Sequence, residues 1–284
     1  MPLPLDYQLI EEDGKVSAHP LQLSKDHKLS SVSNSWRLMA TKRAKTKDAK
    51  HHYVSMTHWK QALLAGREMT DITSLSSIVV PEEKVGIQLN TYARTAEDGQ
   101  LYRASHYRFH DGWTLGAYTE HAPDFSNIPF ARIGGENRPW IIQQQNDSFS
   151  LWNEKEKNEI ERRIRQTKKA KIVFLSPAIF TGGSRPQQFD GEYVTLPNEL
   201  KVKWLTGAIG RPELYGGWDI VHHRPKSRMP MVPAGSVIYV EIEYEEDVPR
   251  LMELANGMHF TDENAHEGFG FAIITSANES KEEL

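Results

Sequence analysis

The feature that most constrains the fold is a compact apolar run at residues 172–180, IVFLSPAIF, which follows a long charged stretch. A run of this length and composition is typical of a strand that is buried on both faces of a sheet. The residues after it, TGGSRP, include the glycines and the proline that commonly end a strand. The sequence therefore predicts a central strand here, and this strand opens a second folded unit.

The charged stretch before this run, NEKEKNEIERRIRQTKKAK, predicts an exposed helix. Acidic residues dominate its first half and basic residues its second half, as the helix dipole favours. Beyond the apolar run, LKVKWLTGAI, GGWDI and GSVIYVEIEY predict strands, residues 247–256 a helix, and FGFAIITSA a last strand. This order of strand, crossover, paired strands, helix and strand is close to the ferredoxin-like plan.

The N-terminal part shows other patterns. The first 50 residues have little hydrophobic period and end in a lysine-rich stretch, which predicts a mobile loop. SMTHWKQALLAG predicts a short helix that ends near Gly66 and has Trp59, Ala62 and Leu63 on one face.

Residues 85–145 alternate with the period of two that is typical of strands. The Asp-Gly pairs in EDGQ and HDGW predict tight turns, so the simplest arrangement is a β-meander. We therefore expect an α+β protein with long loops and two units, residues 1–150 and residues 151–284.

Charge is distributed unevenly along the chain. Residues 241–284 carry twelve acidic and two basic side chains, and because the whole chain has a net charge of −4, the rest carries +6. Six cations and one acid lie in residues 37–50, and six cations and two acids in residues 201–228. Local clusters of this kind suit a phosphate backbone, although solvated faces give the same pattern.

The chain contains no cysteine, which excludes disulfides, thiolate nucleophiles and cysteine-based metal sites. The N-terminus has no basic segment followed by an apolar core, and no apolar run approaches the ~18 residues of a membrane span. We therefore expect a cytoplasmic protein with no membrane partner.

The twelve histidines raise the question of a metal site. His222 and His223 are adjacent, and on a strand their side chains point to opposite faces, so one ion does not easily take both. His106 and His110 lie in an alternating stretch that does not keep their side chains together. We therefore expect neither a metal nor a cofactor.

A metal-independent ribonuclease stays open from the residues alone. A histidine beside a bound phosphodiester can act as general acid or base at neutral pH. His222, His223 and His52 all lie beside cations, but a binding loop has the same composition. NTPase, dinucleotide-binding and serine-hydrolase motifs are absent from the sequence. EGFGFAIIT matches half of RNP1, an RNA-binding consensus of RRM domains. A glycine-hinged loop that leads into a core strand explains this segment better than an RNP1 motif does.

Several motifs together resemble one family, the third Cmr subunit of type III-B CRISPR RNA-guided effector complexes, a group of repeat-associated (RAMP) proteins. The motifs lie in order along residues 85–277. They are VGI, RT and GQLY in residues 85–102, IGGENR at 133–138, GGWD with a basic Pro-Lys segment and PAGSV at 216–237, and EGFGFAI at 267–273.

The resemblance implies two ferredoxin-like (RRM-like) units that grip the repeat-derived 5′ tag of the guide RNA. It also implies docking onto the large polymerase-cyclase subunit and other RAMP subunits, without catalysis. Family members begin with a strand and a helix that include an Arg-Pro-Phe segment, whereas this chain begins at PLPLD. We therefore expect the first unit to lack that strand and helix, or a separate polypeptide to supply them.

The basic clusters and the motifs together predict an RNA-binding surface. Trp218 lies between Gly217 and the basic loop, a position that favours an exposed side chain. An exposed aromatic ring beside cations can stack on a base. The predicted contacts are Arg211, Trp218, His222, His223, Arg224, Lys226 and Arg228, with Arg138 from the first unit and Lys42, Arg43 and Lys45 from the lysine-rich loop.

Two other functions remain as alternatives. One is a RAMP-type endoribonuclease that processes repeat RNA with a histidine general acid or base. The other is an assembly subunit that contacts only proteins.

Overall fold

The computed structural model describes residues 1–25, 36–89, 92–119, 124–133, 138–145 and 150–278, without the side chains of residues 88 and 96–100. The helices are α1 (Met56–Ala65), α2 (Glu154–Thr167) and α3 (Val248–Glu253). The strands of the N-terminal part are β1 (Tyr7–Glu12), β2 (Lys15–Pro20), β3 (Gln22–Ser24), β4 (Arg37–Met39), β5 (Thr46–Lys47), β6 (His52–Val54), β7 (Ile72–Ser74), β8 (Val79–Leu89), β9 (Ala96–Phe109), β10 (Phe130–Ile133) and β11 (Arg138–Ile141). Those of the C-terminal part are β12 (Lys169–Phe174), β13 (Tyr193–Thr195), β14 (Lys201–Ala208), β15 (Glu213–Tyr215), β16 (Trp218–Asp219), β17 (Arg224–Pro225), β18 (Met229–Met231), β19 (Val237–Glu241), β20 (Met258–His259) and β21 (Phe271–Ser276).

A six-stranded antiparallel sheet forms the centre of the molecule. Its strand order is β13-β14-β19-β12-β21-β20. β12 lies between β19 and β21, and residues 170–174 are buried, because both faces of this strand are covered. The predicted central strand is therefore confirmed, but it spans residues 169–174, and residues 175–180 of the apolar run lie beyond its end.

Two of the predicted helices follow their local signals closely. α1 buries Trp59, Ala62 and Leu63, and Gly66 ends it in the left-handed conformation. The side chain of Asn153 accepts a hydrogen bond from the backbone N–H of Glu156, whose carboxylate accepts one from the backbone N–H of Asn153. This reciprocal cap fixes the start of α2.

The first 50 residues contribute more to the core than their sequence predicts. β1 pairs with β2 and β5, and Tyr7, Leu9 and Ile10 on β1 are buried. No element was predicted for the residues of β1 and β2. The two strands form a tight hairpin whose turn residues, Asp13 and Gly14, both have positive φ. This Asp-Gly pair is a local hairpin signal, and it could have been recognised in the sequence.

One hydrophobic cluster joins residues on both sides of position 150. It contains Leu9 and Trp59 from the N-terminal part together with Trp152, Phe174 and Ile238. The rings of Trp59 and Trp152 stack with centroids 6.3 Å apart. The residue ranges of the two units stay a prediction, but their apolar side chains share one interior.

A buried ion pair joins the same two parts. Lys171 Nζ lies 2.7 Å from Asp6 Oδ2, and both side chains are fully buried. The Tyr239 hydroxyl also donates to Asp6 Oδ2 over 2.7 Å. Burial and the charge of Asp6 raise the pKa values of the Tyr7 and Tyr239 hydroxyls. The N-terminal segment is therefore fixed to the central strand by charge as well as by apolar packing.

The molecule is an α+β protein, as expected. In the C-terminal part, the strands β12, β14, β19 and β21 and the helix α3 follow the predicted order, but residues 175–200 contain no helix. In the N-terminal part, the described strands form sheets of two or three strands. The two ferredoxin-like units stay a prediction.

A long two-stranded hairpin, named the arm (residues 79–109), leaves the core after β7. β8 pairs with β9 from Val79 opposite Phe109 to Leu89 opposite Ala96. The predicted turn at EDGQ is wrong, since residues 97–100 lie within β9. Cross-strand pairing extends past the Asp-Gly pair, so the connection falls at residues 90–95, of which 90 and 91 lie outside the described residues.

The predicted turn at HDGW is confirmed. The backbone N–H of Trp113 donates to the His110 carbonyl over 3.1 Å, and Gly112 has a φ of +84°. A backbone in this region favours glycine. The turn ends the arm at its base.

None of the helices in the described ranges is both long and apolar enough to cross a membrane.

Candidate nucleic-acid interface

The segment with the GGWD motif forms a projecting hairpin, named the basic hairpin (residues 213–231). β15 pairs with β18 at its base, and β16 pairs with β17 near its tip. The backbone N–H of Lys226 donates to the Gly217 carbonyl over 2.9 Å, which keeps the strands together between these two pairs. The cations of this segment are therefore presented on a folded element.

The tip of the basic hairpin is a turn at residues 220–223, which Asp219 fixes. Asp219 Oδ1 accepts the backbone N–H groups of Val221 and His222 over 3.1 and 3.0 Å, and Oδ2 lies 2.8 Å from His222 Nδ1. The hydrogen bonds from the backbone and the ring of His222 lower the pKa of the Asp219 carboxyl. An aspartate that binds backbone groups two and three residues later is a common turn signal, and it could have been recognised in the sequence.

The two adjacent histidines lie in this turn and on no strand, which corrects the geometry assumed for them. His223 has a φ of +49°, and the His222 side chain is 64% exposed. The expectation that their side chains point to opposite faces of a strand therefore does not apply to His222 and His223. Within the part of the chain that the structure describes, no three His, Cys, Asp or Glu side chains form a group that could hold a metal ion.

Apolar and cationic side chains are exposed together on the basic hairpin. Trp218 is 57% exposed, as predicted, and Ile220 and Val221 at the tip are 78% and 80% exposed. Arg224, Lys226 and Arg228 are exposed as well. Arg224 and Arg228 form no ion pair with any described residue, whereas Lys226 is close enough to contribute to the lowered pKa of Asp219.

The base of the basic hairpin is attached to the glycine-rich loop before β21. The Tyr215 hydroxyl donates to Glu267 Oε2 over 2.9 Å, and the Tyr215 ring contacts the Phe269 ring edge-on at 4.9 Å. The bond to Glu267 raises the pKa of the Tyr215 hydroxyl. Two motifs about 50 residues apart in sequence therefore meet in the fold, and no sequence pattern predicted the contacts of Tyr215 with Glu267 and Phe269.

Replacing Tyr215 with alanine is expected to loosen the basic hairpin. The loss of the ring contact and the hydrogen bond removes on the order of 1–2 kcal/mol of local stability. We expect the amide of Lys226 to exchange its hydrogen about tenfold faster in Tyr215→Ala, and less so in Tyr215→Phe, which keeps the ring. The exposed Tyr244 gives a matched control, Tyr244→Ala. Equal exchange in Tyr215→Ala and the control would contradict this role.

The first basic cluster of the sequence, named the N-terminal basic segment (residues 37–50), reaches the base of the basic hairpin. Lys50 Nζ lies 2.7 Å from Glu213 Oε1 on β15. Closer to β4, Lys42 pairs with Glu12 over 2.7 Å, whereas Arg43 and Lys45 are exposed. The structure therefore connects the two basic clusters of the sequence, and it also shows that β1 neutralises part of the first cluster.

Arg211 is exposed and lines a cavity at this junction. The cavity has a volume of about 840 Å³, and its walls include Lys50, His51, Tyr53 and Glu213. Burial and the charge of Glu213 raise the pKa of the Tyr53 hydroxyl. The volume is in the range of small-ligand pockets, so a nucleotide-sized group fits beside Arg211.

In the sequence, Arg138 lies far from the basic hairpin, within the first predicted unit. It begins β11, and its Nη1 atom is 3.9 Å from Glu82 Oε2 on the arm. Nearby, the ring of Trp140 contacts that of Phe109 edge-on at 5.6 Å. The rest of the glycine-rich motif, residues 134–137, lies outside the described residues.

Comparisons with known proteins identify the family. The model of the family described as "CRISPR-associated protein (Cas_Cmr3)" matches residues 1–277. No protein of curated function matches the chain. A solved chain of the type III-B Cmr-beta complex bound to cognate target RNA is similar at 17% identity with a TM-score of 0.39, over 82% of this chain and 64% of that chain. A second, from the complex with target RNA and AMPPnP (state 1), has 17% identity and a TM-score of 0.37, over 82% and 65%.

This chain thus spans about two thirds of the length of the solved chains that it matches. The family match extends over nearly every residue, including the GGWD and EGFGF segments that the fold brings together. The chain belongs to the Cas_Cmr3 family of CRISPR-associated proteins.

Proposed function

We propose that the protein is a non-catalytic, guide-RNA-binding subunit of a type III-B CRISPR effector complex that acts in antiviral defence. In this role it grips the repeat-derived 5′ tag of the guide RNA and docks to the large polymerase-cyclase subunit. The single observation that carries the proposal is the basic hairpin, which exposes Trp218 beside Arg224, Lys226 and Arg228 on one element.

Physical chemistry supports RNA as the ligand of this element. A cation without an acidic partner can exchange its counterion for a phosphate, and this exchange drives nucleic-acid binding. An exposed indole can stack on an unpaired base, which contributes about 1–3 kcal/mol. Tyr215 holds the base of the hairpin, so binding does not have to order the whole segment.

Arg211 and the N-terminal basic segment extend the proposed surface. The cavity beside Arg211 has room for a nucleotide-sized group, and Arg43 and Lys45 belong to the segment that reaches the hairpin base through Lys50. RNA that leaves the hairpin towards its base therefore meets further cations. Lys42 and Arg138 contribute less in this proposal, because each lies beside a glutamate.

The contact between Asp219 and His222 supports one second candidate, a metal-independent endoribonuclease. Through its contact with Nδ1, a carboxylate can orient an imidazole so that Nε2 faces the substrate, as general base catalysis requires. In this hairpin the same carboxylate also closes the turn, so turn geometry alone accounts for the contact.

Incubating the purified chain with 5′-labelled repeat RNA in EDTA separates the candidates. We expect a gel shift and no cleavage, with the RNA recovered intact. Cleavage that is lost in His222→Ala or His223→Ala would establish the ribonuclease instead. Neither a shift nor cleavage, in a chain that still assembles with protein partners, would favour a subunit that contacts only proteins.

A further inference from the structure

A serine, a histidine and a glutamate form a connected chain of polar contacts on the hairpin of β1 and β2. Ser17 and His19 are two positions apart on β2, so their side chains share a face of that strand. Ser17 Oγ lies 3.0 Å from His19 Nε2, and His19 Nδ1 lies 3.4 Å from Glu68 Oε2. Hydroxyl, imidazole and carboxylate follow each other in the order of the triads that activate a serine. Such triads are recognised by their geometry and not by a sequence motif.

Backbone pairing holds Glu68 beside His19. Ala18, between Ser17 and His19, pairs with Met69 in an antiparallel bridge, and the backbone N–H of each residue donates to the carbonyl of the other over 2.8 Å. In this register Glu68 lies directly opposite His19. Ala18 and Met69 are both fully buried. The main chain therefore brings the three polar side chains together, and their contacts do not depend on a mobile loop.

The carboxylate determines which nitrogen of His19 carries the proton. A carboxylate only accepts hydrogen bonds, so the imidazole hydrogen is on Nδ1, which faces Glu68. In the neutral ring Nε2 is then the acceptor, and the Ser17 hydroxyl donates to it. A serine nucleophile has to pass its proton to a base in this direction.

The surroundings leave Ser17 accessible while they shield one side of it. Ile10, directly opposite Ser17 on β1, is 1% exposed, so apolar packing limits water on that side. Ser17 itself is only partly buried. The His19 side chain is 16% exposed and that of Glu68 is 54% exposed. A small molecule can therefore reach the Ser17 hydroxyl, and the imidazole stays held between its two partners.

A glutamine supplies a further polar group at this site. Gln8 lies directly opposite His19 on β1. Its Oε1 atom is buried and has no hydrogen-bond partner among the residues that the structure describes. Part of the hydrogen-bonding capacity of this amide is thus left for a ligand. A glutamine amide can donate to a carbonyl oxygen on which negative charge develops.

We propose that Ser17, His19 and Glu68 form a hydrolytic site for small carboxylic esters. Ser17 Oγ attacks the ester carbonyl carbon, and its proton moves to His19 Nε2. The carbon–oxygen bond of the ester then breaks, and His19 gives the proton to the leaving alcohol. Water attacks the acyl group on Ser17 and passes a proton to His19, the acid leaves, and the proton returns to Ser17 Oγ. Glu68 is a positioning residue that orients the imidazole.

The chemistry of the site favours esters over amides. An alcohol leaves more readily than an amine, so an ester needs less help from a site that is partly open to water. This hydrolysis goes beyond the proposed function, in which the chain itself cleaves no RNA, and it involves no residue of the basic hairpin.

A fluorophosphonate probe, which activated serines attack with release of fluoride, tests the proposal on the purified chain. We expect mass spectrometry to locate the label on Ser17. His19→Ala is expected to slow the labelling about 100-fold, because a positioned general base contributes about 10²–10⁴. Ser74→Ala is the matched control, since Ser74 Oγ contacts the hydroxyls of Ser76 and Ser77. An unlabelled Ser17, or equal labelling rates in His19→Ala and the wild type, would overturn the proposal.

Turnover of p-nitrophenyl acetate gives a second test. Ser17→Ala and His19→Ala are each expected to lower kcat/KM about 100-fold, and the double variant no further, because groups that act as a unit are not additive. Glu68→Gln is expected to lower it about tenfold, and Glu68→Asp to restore part of the loss. Equal turnover in the wild type and Ser17→Ala would show a contact that is only structural. The melting temperature and the repeat-RNA affinity should stay unchanged in Ser17→Ala, so a failure of RNA binding affects only the proposed function.

Discussion

Lys171→Ala is expected to lower the free energy of unfolding by about 3–5 kcal/mol, far more than the loss of an exposed charge. The change leaves the Asp6 carboxylate fully buried without a cation. Asp6 Oδ1 already lacks a hydrogen-bond partner among the described residues, and the Tyr239 hydroxyl is the remaining donor to Oδ2. An uncompensated charge in an apolar interior is far more costly than a missing contact.

Chemical denaturation of the purified chain measures this effect. Lys201→Ala is the matched control, because Lys201 pairs with Asp190 over 2.9 Å at an exposed site on the same sheet. Exposed pairs contribute about 0–1 kcal/mol, so the control should stay close to the wild type. The combination Asp6→Leu, Lys171→Met and Tyr239→Phe should recover most of the loss, since it removes the buried charges and the hydroxyl together. Equal effects of Lys171→Ala and the control would contradict this role of the ion pair.

Arg224→Ala, Lys226→Ala and Arg228→Ala combined are expected to weaken guide-RNA binding by about 100-fold. Each exposed phosphate contact contributes on the order of 1 kcal/mol, and about 1.4 kcal/mol is tenfold in affinity. The slope of log affinity against log salt should also become shallower by about 2, at about 0.7 for each contact with a single strand. Binding titrations at several salt concentrations measure both quantities.

The control for this variant removes the same charge from another surface. Lys155→Ala, Lys157→Ala and Arg162→Ala lie on α2, where Lys157 and Arg162 already pair with glutamates. We expect the affinity of this control to change less than threefold. If the hairpin variant and the control weaken binding equally, net charge governs the affinity and the surface assignment is wrong. Unchanged affinity in the hairpin variant would likewise contradict it.

Local signals in the sequence were sufficient for several elements. The apolar run at β12, the helical face of Trp59, Ala62 and Leu63, and the dipole pattern of α2 each depend on residues close in sequence. Trp218 was predicted to be exposed because it lies between glycine and a basic loop, and it is exposed. For such features, the hydrophobic period and the neighbouring residues determine the local structure.

Features that depend on distant residues could not be predicted in this way. Asp6 and Lys171 are 165 positions apart, and Tyr215 and Glu267 are 52 apart, so no local pattern joins them. The EDGQ turn was wrong because strand pairing outweighed a local turn signal, and the histidine pair was placed on a strand because Asp219 was not recognised as the residue that closes the turn. The lengths of the arm and of the basic hairpin depend on which residues pair across their two strands. A single sequence does not specify this pairing.

Ultraviolet crosslinking of the complex purified from the host tests the central claim most directly. The guide RNA carries its label at the 5′ end, and mass spectrometry identifies the peptide attached to the tag nucleotides. We predict that this peptide comes from residues 213–231 and that the crosslink is lost in Trp218→Ala, while α2 peptides carry no label. A tag that crosslinks elsewhere on this chain, or only to other subunits, would contradict the proposed RNA-binding role of the basic hairpin.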